Sequence, residues 1–157
     1  MSRNSTAATD QQAGSNNDDV IATAELRAER AAAILAVDTP VTDQGIDFVS
    51  GTDAGCTMSM TIRPEQCNSH GICHGGITMM LADTAAAYAL NTGEVTPQWV
   101  SSTSQSSFIA PGRVGHTLLA EAQLHPRRGR SCLVDIRVID QEGTIVLETR
   151  NMMVRMA

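Results

Sequence analysis

From Ile77 to Leu90 the chain reads ITMMLADTAAAYAL, a run without glycine or proline and made of strong helix formers. Asn91 and Gly93 supply the stop that a helix C-terminus needs. The only polar positions in the run are Thr78, Asp83 and Thr84. A helix that is apolar on nearly every face is expected to lie buried. Such a helix demands that other structure wrap around it, and most of the remaining sequence reads as strand.

Gly45 to Val49 is a short strand candidate. Cys56, Met58, Met60 and Ile62 alternate with Thr57, Ser59, Thr61 and Arg63 until Pro64 ends the run, the period of a half-buried strand. After Pro97 come four more strand-like runs: Trp99 to Ile109, Leu118 to Leu124, Cys132 to Val138 and Thr144 to Met156. Pro111-Gly112, Arg127-Arg128-Gly129-Arg130 and Gln141-Glu142-Gly143 provide turn chemistry between them, so the last three strands predict an antiparallel meander. Upstream, Val20 to Leu35 has helical composition, with Asp18 or Asp19 as an expected cap, and Pro40 and Gly45 break the chain after it. The architecture predicted is α+β, one sheet around one helix. Residues 1–19 are polar and predict a disordered tail; residues 20–157 predict a single domain.

Composition narrows the function. Only Phe48, Tyr88, Trp99 and Phe108 are aromatic, which disfavours modules that stack nucleic-acid bases. All 11 basic residues are Arg, so Schiff-base lysine chemistry and a P-loop lysine are excluded. Of the net charge of −6, all resides in residues 1–65, with ten acids and four Arg; residues 66–157 balance seven against seven. That acidity argues against duplex DNA, while Arg113, Arg127, Arg128 and Arg130 permit a phosphorylated small ligand. No apolar run is long enough to span a membrane. The polar N-terminus does not read as a secretory signal, and the four Cys are expected as reduced thiols in a cytoplasm.

Asp83 is the anomaly. Asp is a poor choice for a helix interior, and a carboxylate held away from water is a stronger base unless paired. Gly75 and Gly76 stand where the helix begins, so unpaired backbone N–H groups there can approach a ligand oxygen closely. Gly76 and Asp83 are seven residues apart, about two turns and roughly 10 Å. An anion-stabilising helix end and a carboxylate suit acyl transfer, given an elongated substrate or a second subunit. The adjoining run CNSHGICHGG also gathers Cys67, His70, Cys73 and His74. Structural zinc sites pair two such ligands with a second pair a dozen or more residues away; no such pair follows, and no metal is expected.

Asn68, His74-Gly75-Gly76 and Asp83, inside NSHGICHGGITMMLADTAAAYALN and followed by a strand ending FIAPG, resemble the hot-dog-fold acyl-CoA thioesterases, more narrowly the phenylacetic-acid-degradation subgroup. The likeness runs from about Val20 to the C-terminus. It implies a long central helix wrapped by a five- or six-stranded antiparallel sheet, and a homodimer pairing into a homotetramer with active sites at the dimer interface. It implies hydrolysis of phenylacetyl-CoA, or of a ring-hydroxylated relative, without a cofactor. Asp83 would be general base or nucleophile. The Gly75 amide would polarise the carbonyl, with Gly76 shaping the turn. Asn68 and His74 would orient carbonyl and loop, Ser101 would position water, and Thr84 would bond substrate or partner subunit. Arg127, Arg128 and Arg130, then Arg113, are the candidates for the coenzyme A phosphates. The alternatives are a thioesterase for other aryl or medium-chain acyl-CoAs, and a non-catalytic acyl-CoA-binding protein. Hot-dog hydratases favour an Asp followed closely by His, and none follows Asp83 before His116.

Overall fold

The computed structural model describes residues 22–96 and 98–157. The predicted tail, residues 1–19, and the expected caps Asp18 and Asp19 lie outside the described residues. In their place Thr23 caps the first helix, α1 (Ala24–Leu35), its side chain accepting from the Leu26 amide. A short helix α2 (Thr39–Asp43) follows, with Pro40 in its first turn, where a missing N–H costs nothing. Then come β1 (Ile46–Thr52), β2 (Gly55–Thr61), α3 (Gly75–Asn91), β3 (Trp99–Phe108), β4 (Thr117–Leu124), β5 (Ser131–Asp140) and β6 (Ile145–Arg155).

The strands form one six-stranded sheet, ordered β1-β2-β4-β5-β6-β3, with every neighbouring pair antiparallel. The predicted meander is β4-β5-β6. The alternation read from the sequence is the burial pattern: Met58, Met60 and Ile62 are buried, as are Leu118, Ala120, Val134, Val138, Leu147 and Met153. They enclose Leu81, Ala82, Ala85, Ala86 and Ala89 of α3. The alanines bring helix and sheet close together, so few aromatic side chains are needed to fill the space. The buried Arg27 of α1 ties the layers together. Its guanidinium donates to Ala89 O (3.3 Å) and Thr92 Oγ1 (3.2 Å) at the C-terminal end of α3, and to Asp53 Oδ1 (2.6 Å), a favourable place for a cation.

The structure corrects the expectation that α3 is buried all round. Asp83 and Gly76 are exposed, and Met80 and Ala87 only half-buried. These four recur at the four- and three-residue spacing of a single helix face. That face lies open because the sheet covers the opposite side of α3 and stops at β3. The desolvation expected of Asp83 is therefore not supplied by this chain alone.

On the outer face, Arg150 grips Asp135 with Nε and Nη2 at 2.6 and 2.7 Å, and His125 Nε2 adds a contact at 2.7 Å. Hydrogen bonding from Arg150, foremost, holds the Asp135 carboxyl at about 2. This lies below its unfolded value of about 3.9, so the stabilisation is complete above that value and is lost as pH falls through about 2. Asp135→Asn is expected to lower the melting temperature at neutral pH by about 2–4 °C, the gap expected of a half-exposed bidentate pair worth at most about 1 kcal/mol. The difference should shrink steadily in melts taken toward pH 2.

Candidate active site

The loop before α3 is a tight hairpin. Asn68 N donates to Ile72 O and His74 N to Gln66 O, both at 2.9 Å, so Cys67 and Cys73 face each other. Asn68 Oδ1 accepts from His70 N at 2.9 Å, and Gly71 closes the turn at φ 71°, a conformation that side-chain-bearing residues rarely adopt. Cys73 N donates to Gly112 O (2.9 Å), which anchors the hairpin to the segment after β3.

His74 caps α3. Its Nδ1 accepts the Gly76 amide at 3.0 Å and its carbonyl accepts the Ile77 amide at 2.9 Å. With Nδ1 an acceptor, the ring proton of the neutral imidazole sits on Nε2. The Gly75 N–H, at the first position of the helix, has no acceptor among the described residues, as first-turn amides require an outside partner. It stands beside an apolar groove of about 500 Å³ lined by Ile72, Cys73, Thr78, Phe108, Ile109 and Val146. A Cβ at position 75 would come within 2.9 Å of the Phe108 ring, so glycine is what lets the ring close over the helix start. Burial pushes the Cys73 thiol up, which makes it a wall of the groove rather than a nucleophile.

Asp83 lies eight residues along the same helix, about 12 Å by the helical rise. One carboxylate oxygen, Oδ1, accepts from Ser101 Oγ (2.5 Å) and from Asn151 Nδ2 (2.9 Å). Oδ2 takes no donor among the described residues. The sequence-predicted residues therefore fall into two clusters on one chain: Asn68, His74, Gly75 and Gly76 at the start of α3, and Asp83 with Ser101 two turns on.

Residues 70–147 match the thioesterase superfamily. Over 102 residues, 65% of this chain and 71% of the relative, the sequence is 35% identical to the acyl-coenzyme A thioesterase PaaI of Escherichia coli K12. The solved structure of the E. coli PaaI protein from the phenylacetic acid degradation operon superposes with a TM-score of 0.80 at 30% identity, covering 85% of this chain and 96% of that one. The chain belongs to the thioesterase superfamily. A Streptococcus mutans protein solved with acetyl-CoA shares the fold, with a TM-score of 0.66 at 20% identity over 71% of this chain and 89% of that one. The hot-dog architecture expected from the sequence is the architecture observed.

Within this thioesterase fold, Thr84 follows Asp83 directly on α3. It is buried, its hydroxyl donates to Met80 O of its own helix at 2.7 Å, and it does not line the groove. Among the described residues no three His, Cys, Asp or Glu side chains converge as metal ligands; His70 is exposed at the hairpin tip and His74 is turned to the Gly76 amide.

The four Arg candidates divide. Arg127 pairs with Glu94 (2.8 Å) and lies 5.2 Å from the centre of the Trp99 ring. Arg130 donates to Arg155 O at 2.7 Å. Arg113, bridged through its backbone to Ile72 beside the groove, and Arg128 at the β4–β5 turn are exposed. Among the described residues neither side chain has a hydrogen-bond or ion-pair partner. Asn151 is the residue the sequence reading missed. It is fully buried in β6 yet bonds Asp83 and Ser101. The signal available was a lone amide in the strand run Thr144 to Met156.

Proposed function

We propose that this thioesterase hydrolyses acyl-CoA, favouring phenylacetyl-CoA or a ring-hydroxylated relative, to the free acid and coenzyme A. The observation that carries this is the Gly75 amide, which has no acceptor among the described residues and stands at a helix N-terminus beside an apolar groove, on the helix that also bears Asp83. The amide would hold the thioester carbonyl oxygen and stabilise the negative charge that develops as water adds to the carbon. One such donor is worth about 3–4 kcal/mol. Oδ2 of Asp83 has two routes. As general base it takes the proton of the attacking water; as nucleophile it bonds to the carbonyl carbon, and water then hydrolyses the resulting anhydride. Either way the C–S bond breaks and coenzyme A leaves as a thiolate that is then protonated, a departure that needs little acid assistance. No Ser-His-Asp arrangement is required.

About 12 Å between Gly75 and Asp83 on one helix is too far for both to act on one carbonyl, so the working site takes Asp83 from a second copy. The strand β3 ends the sheet on the side where α3 lies open. Antiparallel pairing of two β3 strands about their midpoint lays the Ser101 end of one copy beside the Ser106–Phe108 end of the other. Phe108 packs on Gly75, so this pairing sets Asp83 of one copy near Gly75 of the other and covers the open face of α3. It also carries the Arg127–Arg130 turn, which adjoins the Arg155 end of β6, toward the same groove that Arg113 borders. Those Arg side chains suit the phosphates of coenzyme A. The dimer would pair further into a tetramer, and its free thiols suit a cytoplasmic enzyme.

A thiol-release screen across aryl, short-chain and long-chain CoA esters tests the reading. The expected result is a kcat/KM highest for phenylacetyl-CoA and its hydroxylated forms. A flat profile would remove the phenylacetate preference while leaving the thioesterase, and no release from any ester would overturn the function proposed.

A further inference from the structure

Asn151 occupies a position that the fold alone would give to an apolar residue. It lies on the inward face of β6, paired across the sheet with Val134 on one side and Ser104 on the other. It is fully buried, as are Leu147 and Met153 on the same strand. A buried amide is costly unless its polar atoms are met, and a hydrophobic residue of similar size would stabilise such a site at least as well. Both N–H groups of the amide find acceptors, and those partners show why it is there. Nδ2 lies 2.9 Å from Asp83 Oδ1 and 3.1 Å from Ser101 Oγ. Oδ1 of the amide lies 3.2 Å from Thr149 Oγ1, which accepts in turn from Ser106 Oγ at 2.8 Å.

We propose that Asn151 is a positioning residue for Asp83, acting with Ser101 to clamp one carboxylate oxygen so that the other alone is presented to the thioester. The inference rests on the function proposed above. The orientation of the amide follows from the carboxylate: an oxygen that only accepts, 2.9 Å away, requires the NH₂ group on that side, and the amide oxygen then turns toward Thr149. Two donors then converge on Asp83 Oδ1, which fixes the side-chain torsions. Oδ2 keeps its lone pairs for water or for the carbonyl carbon. The clamp compensates for the exposure of Asp83 on an open helix face, where a carboxylate would otherwise sample several rotamers. Precise placement of that kind affects turnover more than binding.

The test is Asn151→Leu, which fills the volume and removes the Nδ2 donor from Asp83 Oδ1, beside Ser101→Ala and the double variant, which removes both donors. Asn151→Leu is expected to lower kcat by about 10- to 100-fold, to leave KM for the CoA ester within about two-fold, and to melt at or above the wild-type temperature. Because the two donors hold one oxygen, the double variant should lose less than the product of the single losses. Wild-type kcat in Asn151→Leu overturns the proposal, and so does a loss accompanied by a fall in melting temperature and an equal rise in KM, the signature of a merely structural amide. Asp83→Asn, assayed in parallel, separates the two readings. If it retains full turnover, the proposed function fails and this inference with it. If it is inactive while Asn151→Leu is fully active, only this inference fails.

Discussion

Asp83→Asn folds as the native chain does and loses about 10³-fold or more in thiol release from its best CoA ester, within the range expected when a general base or nucleophile is removed. The fold is safe because the side chain is exposed and the new amide oxygen still accepts from Ser101 and Asn151. Circular dichroism and melting temperature should therefore match wild type while the steady-state rate collapses. An Asp83→Asn protein with wild-type turnover would remove this carboxylate from the chemistry. KM is expected to change little, since Asp83 lies about two turns from the Gly75 amide of its own chain and makes its contribution at the carbonyl carbon rather than in holding the coenzyme.

The second large effect comes from Gly75. In Gly75→Ala the new methyl meets the Phe108 ring at 2.9 Å, and Phe108 is exposed enough to swing outward across the groove. Loss of a well-formed carbonyl site at that amide is expected to cost about 10²- to 10³-fold in kcat. The decisive measurement mixes this variant with Asp83→Asn after dissociation and reassembly. If each site draws Gly75 from one copy and Asp83 from the other, a mixed dimer holds one intact site and one doubly defective site. A 1:1 mixture should then recover about a quarter of wild-type activity from two nearly inactive proteins. Sites confined to single chains would recover none.

The strands were legible because alternation is a local property. Cys56 to Ile62 has one face for the core and one for solvent, and its burial follows that alternation residue by residue. The helix that carries the site was legible in extent and misleading in environment. An apolar run such as ITMMLADTAAAYAL looks the same whether its last uncovered face meets its own sheet or another molecule, so the sequence could not reveal that Asp83 and Gly76 lie open. Thr84 was legible in position but not in its bonding, for a related reason. A hydroxyl beside a carboxylate suggests a shared site, whereas a helical threonine can satisfy itself on the carbonyl four residues back, as this one does. Asn151 was invisible because its importance is a contact across 68 residues of sequence, and neither propensity nor periodicity encodes such a contact. Gly75 was legible in position, since a glycine where a helix starts points to close approach, here that of the Phe108 ring.

Trp99 is the only tryptophan in the chain, and it opens β3, the strand at the free end of the sheet. Its indole is buried, donates Nε1–H to Glu94 at 2.9 Å, and lies beneath the Arg127 guanidinium. The protein thus carries one indole fluorophore, fixed at the strand through which two copies are proposed to join. Its emission maximum and quenching can follow association by simple dilution, with no label attached and with no other indole contributing to the signal.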